Sequence, residues 1–138
     1  MEIGDLGELF GYLAVAMFVL AAFRYVLKWF FKTYGKWVKE HTKLHPLLLK
    51  VMDLNKKLHP WVGLAAAIFV ISHFTTQFII QGYQSPSGLI SASLMVIQVA
   101  GGFAGQYVMK KPRPKWWLWV HRGITVALIT GLAIHILG

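Results

Sequence analysis

The sequence predicts an all-α integral membrane protein: a four-helix bundle with an amphipathic cytoplasmic segment between its first and second spans. Three observations carry this. Of 138 residues, 57% are hydrophobic and only 14% are charged, against roughly 45–50% and 25% in soluble domains. The apolar residues form four runs, about 9–27, 61–80, 89–109 and 116–137. Each is close to the roughly 20 residues that cross about 30 Å of hydrocarbon. The charges are crowded into the amino end and the stretches around the runs, with only Arg24 and Arg122 inside them, so residues 1–138 read as one transmembrane domain.

The first run is preceded by Glu2, Asp5 and Glu8. A cleaved signal begins with basic residues and has a shorter apolar core, so 9–27 reads as a true span. The second connection, 81–88, is a short polar turn without charge. The third span is rich in small residues, among them Ser91, Gly101, Gly102 and Gly105, which let backbones or a flat ligand approach closely. Packing of that stripe against another copy makes a homodimer one expected assembly. A hetero-oligomeric redox complex is the other.

The formal charge is +9, and its placement decides what it means. Arg24, Lys28, Lys32, Lys36, Lys39, Lys43, Lys50, Lys56 and Lys57 surround the first connection. Lys110, Lys111, Arg113, Lys115 and Arg122 surround the third. This is the positive-inside pattern, so the chain is expected in a prokaryotic cytoplasmic membrane with both termini on the non-cytoplasmic side. The basic charge then faces anionic lipid rather than nucleic acid. The segment 28–58 mixes Lys with Leu, Val and Met at helical intervals. It is expected as one or two amphipathic helices on the cytoplasmic face, broken near Pro46. Pro60 is expected in the first turn of the second span. There is no cysteine, which excludes disulfides, iron–sulfur clusters and covalently attached haem.

Six histidines are present, and four of them form a pattern. His59 and His73 belong to the second span, His121 and His135 to the fourth, and each pair is 14 residues apart. At about 100° and 1.5 Å per residue, that spacing puts both rings within about 40° of one face and about 21 Å apart. The second and fourth spans run in the same direction, so His59 faces His121 and His73 faces His135 if the helices oppose each other. Paired imidazoles on facing helices supply the two axial ligands of a six-coordinate haem iron. A zinc centre would need further ligands, and the spans beyond the amino end hold no Asp or Glu. His41 and His45 fall outside the spans and read as surface residues.

The stretches His59-Pro-Trp-Val-Gly63 and His121-Arg-Gly123, each followed by a histidine at the far end of its span, carry a resemblance. They resemble the four-helix di-haem core of respiratory cytochrome b and the ferric-reductase-like transmembrane domain. Small di-haem cytochrome b subunits of membrane oxidoreductases are similar too. The resemblance covers the four spans. It implies two haem b groups, one held by His59 and His121 and one by His73 and His135, acting as an electron wire. The chain has neither a flavin- and nicotinamide-binding domain nor a quinol-oxidation motif, so the resemblance implies a minimal wire relying on redox partner proteins or quinone.

Around the ligands, Arg24, Lys28 and Arg122 are candidate partners for haem propionates, since guanidinium forks match carboxylates. Gly63, Gly123 and Gly131 are candidates for close porphyrin approach. Thr75, Thr76 and Gln77 can orient an imidazole or bond back to their own helix. The expected function is a di-haem b-type cytochrome carrying electrons across the membrane. A quinol-oxidising or quinone-reducing subunit is the alternative within redox chemistry, and a haem-free anchor or assembly subunit the alternative outside it.

Overall fold

The computed structural model describes residues 1–138. Four helices follow one another without a strand: α1 Ile3–His41, α2 His45–Gln81, α3 Pro86–Phe103 and α4 Lys115–Leu137. A π-helical turn, Ala104–Val108, extends α3. All four helices are long and apolar enough to cross a membrane, and the four apolar runs lie on them.

Helix ends are set by local chemistry. The Glu2 backbone N–H donates to the Asp5 carboxylate at 3.0 Å, closing the first turn of α1. At its other end the Thr42 hydroxyl donates to the Val38 carbonyl at 2.7 Å and accepts from the Leu44 N–H at 3.2 Å. This turns the chain directly into α2, whose first turn holds Pro46. Gly82 ends α2 in the left-handed region, with φ of 73°, which glycine adopts without a Cβ penalty. The Ser85 hydroxyl caps α3 by accepting from the Gly88 N–H at 3.1 Å.

Two expectations change. The segment 28–58 is not a separate element; it is the end of α1 and the start of α2, with the break at residues 42–44, just before Pro46. A helix of 39 residues is about 58 Å long and needs only about 30 Å to cross hydrocarbon, so about 25 Å projects beyond it. The projecting parts of α1 and α2 form an antiparallel stalk, and each helix carries an exposed ion pair along its own surface, Lys36–Glu40 (3.9 Å) on α1 and Lys57–Asp53 (2.8 Å) on α2. Pro60 is not in a first turn either; it lies inside α2. The residues before it are already helical, so the Lys56 carbonyl lacks its usual amide donor.

Helix α1 packs along α2, α2 on α3 and α3 on α4, leaving α2 and α4 opposed across the bundle without extended backbone contact. Ala14, Phe18, Ala66, Val70, Met95 and Leu128 form the shared core. Large side chains such as Ile68, Ile71, Val126 and Ile129 point outward. In lipid this is the favourable arrangement, because apolar side chains gain nothing by leaving hydrocarbon for a protein core. Small residues govern the inner contacts. A Cβ on Gly7 would meet Thr76 and Gln77, and one on Gly131 would lie 3.0 Å from the Ser91 hydroxyl.

Leu128 is fully buried, whereas its neighbour Ile129 is exposed. Leu128→Ala is expected to destabilise the bundle by about 2–4 kcal/mol through the cavity it leaves. Ile129→Ala should cost under about 0.5 kcal/mol. Reversible unfolding of the purified protein in mixed micelles measures both.

Candidate functional site

Of the four patterned histidines, the structure brings one pair together, edge to face. His59 of α2 and His121 of α4 meet at the stalk end of the bundle, with ring centroids 6.4 Å apart and planes crossing at 73°. Two metal–nitrogen bonds of about 2 Å each, plus about 1 Å from each donor nitrogen to its ring centre, span about 6 Å. The centroid separation is thus of the size that two imidazoles held by one metal atom would have. His59 Nδ1 is buried and has no hydrogen-bond partner. Leaving such an atom unmade is costly unless something else engages the ring. No cluster of three or more His, Cys, Asp or Glu side chains forms anywhere, so the pair has no third protein ligand of the kind tetrahedral zinc requires.

The surroundings of His121 hold it firmly. Trp117, one helical turn earlier, stacks on its ring with centroids 5.1 Å apart and planes 14° from parallel. The Trp117 indole N–H donates to the Gly101 carbonyl at 3.0 Å, and the Arg113 guanidinium lies 4.9 Å above the indole. Gly105 gives the indole its room, because a Cβ there would fall on the Trp117 ring. The Gln98 amide donates to the His121 carbonyl at 3.0 Å and to the Thr125 hydroxyl at 2.7 Å. That hydroxyl donates in turn to the same carbonyl at 3.0 Å. A half-open cavity of about 220 Å³ lies beside this network, lined by Gln98, Gly101, Trp117 and His121.

At the opposite end, His73 and His135 turn to different neighbours. His73 Nδ1 donates to the Gly7 carbonyl of α1 at 2.7 Å. A carbonyl only accepts, so in the neutral ring Nδ1 carries the proton and Nε2 keeps its lone pair. This is how metal-binding imidazoles are commonly oriented. His135 Nδ1 lies 3.3 Å from the Ser87 hydroxyl and 3.5 Å from that of Ser85. The two rings share an end of the bundle, one against α1 and the other against the start of α3. The donor set fits a bis-imidazole metal centre at the stalk end. At the other end the donors are present, but the rings do not face each other.

The supporting residues divide similarly. Arg24 and Lys28 line a separate cavity between α1 and α2, while Arg122 lies 5.5 Å over the Tyr25 ring, bridging α4 to α1. Gly63 packs against Val99, Gly131 against Ser91, and Gly123 faces open space. None of the three stands beside an imidazole. The glycines that do are Gly102 at His121, Gly11 at His73 and Gly88 at His135. Gly7 and Gly11 are four residues apart, a close-approach spacing that was readable on α1. Thr76 bonds back to the Ser72 carbonyl at 2.7 Å, and Gln77 accepts from Gln81 at 3.0 Å. His41 stacks on Trp37 and His45 lies near Phe31, both at the stalk tip.

The Gly105–Trp117 contact gives a test. Gly105→Ala forces the indole off its seat and is expected to cost about 1–3 kcal/mol, the usual penalty of overpacking. Gly101→Ala meets nothing within 4 Å and should be neutral or slightly stabilising. Thermal unfolding followed by tryptophan fluorescence distinguishes the two.

No family model, curated protein or solved structure matches this chain, so its own residues carry the assignment of the site.

Proposed function

We propose that this chain is a b-type cytochrome of the membrane, a di-haem subunit that carries electrons across the bilayer within a redox complex. The observation that carries the reading is the His59–His121 pair, two imidazoles at metal-bridging separation on helices that oppose each other across the bundle. His59 and His121 would hold the first haem iron, and Trp117 positions the His121 ring. His73 and His135 would hold the second, with the Gly7 carbonyl leaving Nε2 of His73 free to bind and the Ser87 hydroxyl engaging Nδ1 of His135. Arg24, Lys28 and Arg122 are the basic groups available to haem propionates on the stalk side. Haem bound by these residues supplies one-electron redox chemistry; the protein supplies ligation, a low-dielectric setting and a fixed spacing.

The excess of Lys and Arg in the stalk and in the α3–α4 connection supports a cytoplasmic stalk, with both termini on the opposite face of a prokaryotic cytoplasmic membrane. Redox proteins or quinone are the partners this placement implies. One observation favours a haem-free anchor instead: His73 and His135 already have protein partners that join helices.

A reduced-minus-oxidised spectrum with pyridine haemochrome quantification tests the reading. About two haem b per chain with low-spin bands are expected from protein made with ample haem. His121→Ala should remove about one, and His121→Ala with His73→Ala nearly all. Colourless wild-type protein would sink the proposal in favour of the anchor. Because the chain lacks cysteine, Gly4→Cys, Lys43→Cys and Gln84→Cys report topology. An impermeant maleimide applied to intact cells should label Gly4→Cys and Gln84→Cys, but not Lys43→Cys.

A further inference from the structure

A second site lies at the base of the stalk. A half-open cavity of about 180 Å³ is bounded by Arg24 and Lys28 of α1 and by Asn55 and Lys56 of α2. Leu27 and Met52 give it an apolar wall. Arg24, Arg122, Arg113 and Lys56 all bear on the Lys28 ammonium with like charge. Asp53 is the one carboxylate in the wall, and it bears on Lys56 as well as Lys57. The chain's ion pairs engage Lys36 and Lys57, and Asp53 is held 2.8 Å from Lys57. Arg24, Lys28 and Lys56 outnumber that single carboxylate, and an anion between them relieves their mutual repulsion.

The depth of the site suggests which anion. Leu27 closes the first apolar run, and exposed Tyr25, Trp29 and Trp61 ring the bundle at this level. Such aromatic side chains sit at the headgroup layer. Basic pockets between helices on the positively charged side of a membrane protein suit anionic headgroups. A free inorganic ion would have no use for the Leu27–Met52 wall, whereas a lipid brings acyl chains to it.

We propose that this cavity binds the phosphate of an anionic phospholipid, with Arg24, Lys28 and Lys56 as its charged partners and the Asn55 amide as an added donor. The assignment does not rest on haem binding. Arg24 and Lys28 are also candidate propionate partners, so haem content is measured beside lipid binding in every variant.

Native mass spectrometry of the full chain in detergent, titrated separately with phosphatidylglycerol, phosphatidylcholine and inorganic phosphate, tests the site. One phosphatidylglycerol is expected to bind about tenfold or more tightly than phosphatidylcholine. The Lys28→Gln/Lys56→Gln pair should abolish that preference. Lys36→Gln/Lys39→Gln, which removes the same charge farther along the stalk, should keep it. If the first pair fails to fold by circular dichroism, Lys56→Gln alone replaces it, since that side chain is exposed, with a loss of about threefold or more expected. Four results would overturn the proposal. These are equal binding of the two lipids, equal loss in both double variants, and displacement of phosphatidylglycerol by millimolar inorganic phosphate. The fourth is a fall in haem content with lipid preference intact, which would give the cavity to the cofactor.

Discussion

In hydrocarbon, helices are not driven together by the hydrophobic effect, because lipid tails are as apolar as leucine. What remains is close approach and the hydrogen bonds it permits, and this bundle depends on both. Gly7 and Gly11 bring α1 onto α2 closely enough for the His73 imidazole to reach a backbone carbonyl of α1. Gly131 lets α4 settle on Ser91 of α3, and Gly105 admits the Trp117 indole. Glycine serves at these places because it lacks a side chain, and the bulky aliphatic residues are turned to the lipid.

The histidine sites follow from that packing. Because α1 and α3 separate α2 from α4, the opposed helices have room between them for side chains to meet rather than backbones. His59 and His121 use that room at one end. At the other end the close approach of α1 captures His73, and the capped start of α3 captures His135. The two ends carry the same residue spacing and differ in what the neighbouring helices offer.

The division between what could and could not be read in advance has the same origin. Four runs of about 20 apolar residues identify spans whatever their partners, and the 14-residue spacing fixes which histidines share a face and a level. Helix geometry and span direction put His59 level with His121 and His73 level with His135 alike, and only the first pair meets. The stalk does not follow from that geometry, since lysines and leucines at helical intervals describe a helix lying on a membrane as well as one projecting from it. Nor does the bond from His73 to Gly7, which depends on the register of α1 against α2. Gly63, Gly123 and Gly131 are near the histidines in sequence but not in space. The glycines beside the imidazoles come from other helices, where no linear spacing points to them.

Pro60 gives α2 an uneven stiffness. A helix resists bending through its ladder of amide bonds, and here one rung is missing between the Lys56 carbonyl and the proline nitrogen. The gap lies at the junction of stalk and bundle, beside His59. A load applied to the stalk tip acts on a lever about 25 Å long, and α2 yields most easily at its fulcrum. His59 sits one residue from that missing rung, so a bend of α2 there moves its imidazole relative to α4.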